Sequence, residues 1–191
     1  MGVDLAPGTF SAETRQLSTD TYYLGIDPGW VNLGAAIIKH SGTTWELVKS
    51  STFNPSKHSE FPDFLCSWVD DCLPGSIPQG ACIERYVSYK GVNTAEAENI
   101  LMLIGGLRQA LRYSRPLLPF DVLLVRAIDW KTDLVKYLVK NRGFDNPSTS
   151  LDKKFSIAAA KCIIGNYDIK TDHEADAICL AAYSSLLRTK V

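Results

Sequence analysis

The chain has 191 residues and a net charge of −1, and 46% of its residues are hydrophobic. This composition is typical of one globular domain and excludes a strongly basic or disordered chain. No apolar run reaches the roughly 18 residues that a membrane-spanning helix needs, so we expect no membrane partner.

The N-terminal residues 1–21 are rich in Gly, Pro, Ser and Thr and are interpreted as a flexible leader without a secretory signal. Residues 22–191 are expected to form a single domain. The five cysteines are odd in number and none has CxxC spacing. That pattern favours a cytoplasmic or other reducing compartment over a disulfide framework.

Apolar periodicity and Gly, Pro and Ser breaks predict ten elements along residues 22–188. The predicted strands are 22–27, 32–39, 44–53, 80–84 and 120–128, and the predicted helices are 59–72, 93–114, 130–141, 151–164 and 173–188. Short turns join the first three strands, so these should form an antiparallel meander. The later strands alternate with helices, which predicts a mixed five-stranded α/β sheet with helices on both faces. This is the arrangement of the ribonuclease H-like fold.

Acidic residues stand at the ends of two predicted strands. Asp27 ends the first strand, inside the segment YYLGIDPGWVNLGAAIIK, and Glu84 ends the fourth. Asp27 before Pro28 and Gly29 also suits an ordinary turn, and Glu84 could simply pair with Arg85. Considered alone, neither acid distinguishes such a structural role from a functional one.

The last helix begins with the segment TDHEADAICLAAY. His173 and Asp176 are three residues apart and therefore share a helix face, whereas Glu174 points elsewhere. Acids at a helix N-terminus also interact well with the helix dipole, which is the alternative explanation.

The combination of these residues is more informative than each alone. A mixed sheet would bring Asp27, Glu84 and Asp176 together, and their mutual repulsion requires a positive charge. Two Mg²⁺ ions would supply it and could clamp a phosphodiester. His173 would be either a nitrogen ligand or a proton-handling group.

Basic residues are concentrated in the second part of the chain. Residues 1–84 carry 4 Lys/Arg and 10 Asp/Glu, whereas residues 85–191 carry 16 and 11. This asymmetry predicts a DNA surface, although solvated helix faces are the plainer explanation for any single lysine. The candidate DNA-binding residues include two tyrosines that could stack on unpaired bases. They are Arg85, Tyr86, Tyr89, Lys90, Arg126, Lys131, Lys136, Lys153 and Lys154.

Three segments in this order and spacing, GIDPGWVNLGAAII, CIERYVSYKG and DHEADAICLAAY, resemble the RuvC-type Holliday junction resolvases. The near-neutral charge, the leader and a long segment around residues 125–161 suggest a viral or otherwise divergent member. The resemblance implies a homodimer that uses Mg²⁺ or Mn²⁺ to cut four-way and other branched DNA in pairs, leaving 5′-phosphate and 3′-hydroxyl ends. It implies Asp27, Glu84, His173 and Asp176 as catalytic residues and metal ligands, with Asp172 as a less favourable substitute.

Other functions remain open from the sequence. One alternative is a related nuclease that acts on RNA, flaps or forks. Another is a catalytically silent junction-binding protein. A nucleotide-binding ATPase of the sugar-kinase type would need a second domain, which 191 residues hardly supply.

Overall fold

The computed structural model describes residues 20–87, 94–113, 122–146, 152–165 and 167–188. A five-stranded mixed sheet in the order β3-β2-β1-β4-β5 is its centre. β1 pairs with β2 antiparallel and with β4 parallel, and β5 extends the parallel part. The strands are β1 (Thr21–Asp27), β2 (Leu33–Ser41), β3 (Thr44–Phe53), β4 (Pro78–Glu84) and β5 (Val122–Val125).

Helices cover both faces of the sheet. Alternate residues of each strand point to opposite faces, and the apolar residues on each face form a core with one layer of helices. The first layer consists of α3 (Ala127–Arg142), α4 (Lys153–Ile164) and α5 (Asp172–Arg188), and Tyr23 of β1 joins its core. The second layer consists of α1 (Phe61–Cys72) and α2 (Thr94–Tyr113), which pack with Leu24 and Ile26. The predicted mixed α/β architecture is thus confirmed.

Two glycines allow α5 to lie directly on the sheet. A Cβ atom on Gly25 would come within 2.0 Å of the Ala177 carbonyl oxygen, and one on Gly34 would come within 2.0 Å of the His173 carbonyl oxygen. Any larger side chain would therefore push the helix away. The first turn of α5 is held above the ends of β1 and β2 in this way.

The last predicted strand was too long. The prediction extended it over 120–128, whereas β5 ends at Val125 and α3 begins at Ala127. Arg126 caps the helix: its carbonyl accepts the Trp130 N–H at 3.2 Å, and its guanidinium pairs with Asp129 at 2.7 and 2.8 Å. The apolar run VLLVRAI contains no breaking residue, so its pattern alone could not locate this boundary.

The two helices of the second layer bury only part of their apolar side chains. Phe61, Leu65 and Val69 of α1 are buried, but Phe64 is 40% exposed. Leu101 of α2 is 56% exposed. Only one side of each helix faces the sheet, which accounts for the difference. Across the part of the chain that the structure describes, no helix is long and apolar enough to cross a membrane.

Candidate active site

The carboxyl ends of two neighbouring strands bring the first two acids together. β1 and β4 run parallel, and Ile26 pairs with Ile83. The next residues along the two strands are Asp27 and Glu84, which therefore leave the sheet side by side at the same edge. This is the juxtaposition that the strand-end positions predicted.

The first turn of α5 adds a histidine to this edge. His173 Nδ1 lies 2.7 Å from Asp27 Oδ2. This hydrogen bond, followed by the negative charge of Asp27, raises the pKa of His173 above its ordinary value, and burial opposes the rise. The ring is thereby oriented by the carboxylate that ends β1.

Glu84 occupies an unfavourable environment for a charged carboxylate. Burial is the main cause that raises its pKa to about 7, and the charges of Asp27 and Asp176 add to the rise. A hydrogen bond from Trp130 Nε1 to Glu84 Oε2, 2.8 Å long, opposes it. The three carboxylates therefore lie close enough for their charges to repel one another.

Asp176 lies one turn beyond His173 and is paired with a lysine. Lys131 Nζ lies 3.3 Å from Asp176 Oδ1, and only 12% and 18% of the two side chains are exposed. Burial raises the pKa of Asp176, the ammonium group of Lys131 lowers it, and the charge of Asp27 raises it again. Oδ1 is buried and receives no well-formed hydrogen bond from the described residues.

These side chains suit a hard cation chemically but do not form a finished metal site. Carboxylate oxygens are the ligands that Mg²⁺ and Mn²⁺ prefer, and the buried Oδ1 of Asp176 lacks a proper donor. Among the described residues, however, no three His, Cys, Asp or Glu side chains form a group that could hold a metal ion. Lys131 stands against Asp176 and His173 stands against Asp27. The expected four-ligand set is thus gathered at one edge of the sheet without being arranged as ligands.

The predicted DNA-binding residues have mixed surroundings. Three of them pair with acids on the protein surface: Arg126 with Asp129, Lys136 with Asp133, and Lys153 with Asp172. Arg85 and Lys154 are exposed. Lys131 reaches the acidic cluster, whereas Lys136 is 73% exposed and pairs with Asp133.

The two tyrosines chosen for base stacking fare differently. Tyr86 packs against the second-layer core and its hydroxyl group is buried, so this placement does not favour stacking on a base. Tyr89 and Lys90 lie outside the described residues. Their roles remain predictions.

Two residues of this region have contacts that the sequence did not reveal. Trp130 is fully buried and donates to Glu84. Glu174, which was expected to point away, is buried and accepts hydrogen bonds from Ser50 Oγ at 2.5 Å and Lys170 N at 2.8 Å. The sequence shows an acid next to His173, but it does not reveal the partner of that acid, because Ser50 on β3 is 124 residues away.

Comparisons with known proteins found relatives of one kind. The crossover junction endodeoxyribonuclease RuvC of Petrotoga mobilis is 30% identical over 88 residues, which cover 42% of this chain and 53% of the relative. The same enzyme of Brachyspira hyodysenteriae is 29% identical over 87 residues, covering 42% and 54%. The match therefore spans about half the length of these curated relatives, and no family model matches the chain.

A solved structure extends the likeness to nearly the whole fold. Thermus thermophilus RuvC in complex with a Holliday junction substrate has a TM-score of 0.63 at 15% identity, covering 89% of this chain and 96% of that chain. At this identity the likeness concerns the fold. Together with the sequence matches, it confirms the predicted resemblance to RuvC-type proteins and the ribonuclease H-like fold.

Proposed function

We propose that this chain, whose sequence and fold resemble those of RuvC-type resolvases, is a metal-dependent, structure-selective DNA endonuclease that resolves four-way junctions. One observation carries the proposal. Asp27, Glu84, His173 and Asp176 come from three distant segments and meet at one edge of the sheet. A partly buried acidic cluster costs folding free energy, which is expected where the acids serve a reaction.

The same four residues are the proposed ligands of Mg²⁺ or Mn²⁺, two ions in each site. When bound, the ions would polarise the phosphodiester and activate a water molecule for hydrolysis. Asp27 is central because it neighbours both Glu84 and His173. Lys131 must move away from Asp176 before that carboxylate can act as a ligand.

The chain itself supplies orientation and proton handling. Asp27 accepts or shares the proton on His173 Nδ1, which fixes the ring and leaves Nε2 for a ligand or a leaving oxygen. Lys131 keeps a positive charge beside Asp176, where a phosphate group would also be attracted.

Branched DNA is the proposed partner, held by phosphate contacts from exposed basic side chains. Arg85 follows Glu84 directly, and Lys154 lies at the start of α4, so both stand near elements that carry the site. Arg126, Lys136 and Lys153 are paired with surface acids and would exchange those weak pairs for phosphates.

A homodimer is the proposed assembly, because it would present two sites to a junction. The exposed Leu101 and Met102 of α2 are its candidate contact. Light scattering at micromolar concentration tests this, and a monomer would contradict it.

The decisive experiment compares cleavage of labelled four-way, three-way, flap and linear duplex DNA in Mg²⁺. We expect the four-way junction to be cut best. Asp27→Asn should lower the rate at least about 100-fold, because the metal contribution amounts to several kcal/mol. Asp71→Asn, the same change at an exposed position of α1, is the control and should keep full activity. Undiminished cutting by Asp27→Asn would overturn the mechanism, and equal cutting of linear duplex would overturn the selectivity.

A catalytically silent junction-binding protein is the second candidate. The pairing of Asp176 with Lys131 and the lack of a formed metal group among the described residues favour it. Tight binding of the junction without cleavage in either Mg²⁺ or Mn²⁺ would establish this alternative. Cleavage of RNA or flaps in preference to junctions would point instead to a related nuclease.

A further inference from the structure

Two consecutive residues at the start of α3 reach two different carboxylates of the site. Trp130 Nε1 donates to Glu84 Oε2 at 2.8 Å, and Lys131 Nζ lies 3.3 Å from Asp176 Oδ1. Lys131 also lies over the Trp130 ring, 5.0 Å from its centroid. The proposed function uses the lysine charge but gives no role to the tryptophan.

Trp130 has little freedom to change its direction. The side chain has no exposed surface and packs in the first-layer core with Leu134 and Phe155. Its backbone N–H bonds the Arg126 carbonyl in the first turn of α3. A ring fixed by packing on a helix presents its single N–H group in one direction.

The hydrogen bond satisfies a need on both sides. The indole N–H is a buried donor that requires an acceptor, and Glu84 is a partly buried carboxylate that gains from a donor. Trp130 takes one carboxylate oxygen of Glu84 and so restricts the rotation of that group. Orienting contacts of this kind around metal ligands contribute about 10- to 100-fold to metal affinity or activity.

We propose that Trp130 is a positioning residue, which restricts the Glu84 carboxylate at the edge of the sheet where a divalent cation would bind. The inference rests on the proposed function, because it assigns Glu84 as a ligand. It adds a residue to the site that acts through Glu84 and touches neither cation nor DNA.

The chain offers a matched control in the same core, between the sheet and the first layer. Trp45 is 6% exposed, and its Nε1 donates to Ser185 Oγ, also at 2.8 Å. Ser185 lies near the last turn of α5, whereas His173 and Asp176 lie in the first turns. Trp45→Phe and Trp130→Phe therefore each remove one indole hydrogen bond, but only the bond of Trp130 involves a residue of the candidate site.

The first measurement follows the indole N–H resonances of the four tryptophans by ¹⁵N NMR. They are assigned from Phe variants of Trp30, Trp45 and Trp68, so that Trp130 follows by elimination. Glu84→Gln should shift the Trp130 resonance and leave that of Trp45 in place. Mg²⁺ should then move the Trp130 resonance in the unmodified protein. A Trp130 resonance that responds neither to Glu84→Gln nor to Mg²⁺ would overturn the inference, even if Trp130→Phe did not fold.

The second measurement is Mg²⁺ affinity from backbone amide shifts. Trp130→Phe should weaken binding about 10- to 100-fold and Trp45→Phe should not. In a Glu84→Gln background, Trp130→Phe should cause no further loss, because the effect passes through Glu84. Equal Mg²⁺ affinity of the two Phe variants would overturn the inference while leaving the nuclease proposal intact. If the unmodified protein neither binds Mg²⁺ nor cuts junctions, the nuclease proposal fails first and the inference falls with it.

Discussion

The two helical layers on the sheet differ in how they use polar groups. Within the described residues, the six buried polar or charged side chains all belong to the first layer or to strand positions that contact it: His40, Ser50, Ser156, Glu174, Ser184 and Ser185. The core of the second layer is apolar and aromatic, with Phe53, Phe61 and Trp68 in edge-on contact.

This difference indicates that the two layers are held in place by different kinds of contact. Apolar packing tolerates substitutions that keep volume and pattern, whereas a buried polar pair requires a fixed geometry. The layer that carries His173, Asp176 and Trp130 is also the layer with buried polar pairs. Its position on the sheet should therefore be set more narrowly than that of the second layer.

The largest expected effect tests how closely α5 sits on the sheet. Gly25→Ala places a Cβ atom against backbone atoms of α5, which cannot move aside singly. We expect a loss of about 3 kcal/mol in the free energy of unfolding, measured in urea. Gly105→Ala in α2 is the control, since a Cβ there meets no described atom within 4 Å, and it should stabilise by up to about 1 kcal/mol. Equal unfolding free energies of the two variants would contradict the inference that the first layer is positioned more narrowly than the second.

A smaller effect is expected from the polar contact between β3 and α5. Glu174→Ala leaves the Ser50 hydroxyl and the Lys170 N–H without their acceptor, which should cost about 2 kcal/mol. Ser50→Ala removes one donor only and should cost about 1 kcal/mol. The two costs should not add in the double variant, because the residues share a bond. Strict additivity in chemical denaturation would show that the contact does not couple β3 to α5.

The smallest effect concerns the far end of the first layer. Burial lowers the pKa of His40 from its ordinary value, and the charge of Arg142 also lowers it. The unfolded chain therefore takes up the proton first as the pH falls, so the stabilising contribution of neutral His40 is complete above about pH 6.5 and is lost below it. The change in unfolding free energy on going from pH 5 to pH 7.5 should be less positive in His40→Gln than in the unmodified protein. An unchanged pH dependence would show that His40 is protonated without cost.

The sequence predicted the mixed five-stranded sheet and the meeting of the acids because both depend on local patterns. The acids stand at strand ends and on one helix face, and parallel neighbours end at the same edge. The contacts of Trp130 with Glu84 and of Ser50 with Glu174 join residues 46 and 124 positions apart. No local period encodes such pairs, and packing against α4 and α5 decides them.

The position of β1 has a consequence for how the site can respond to its ligands. This strand has a hydrogen-bonded neighbour on each side, and its inner residues Leu24 and Ile26 are fully buried. Their amide protons should exchange with solvent deuterium only when the whole domain opens. Asp27 is anchored to that most protected segment, so adjustment to an incoming cation falls to the side chains of Lys131 and His173.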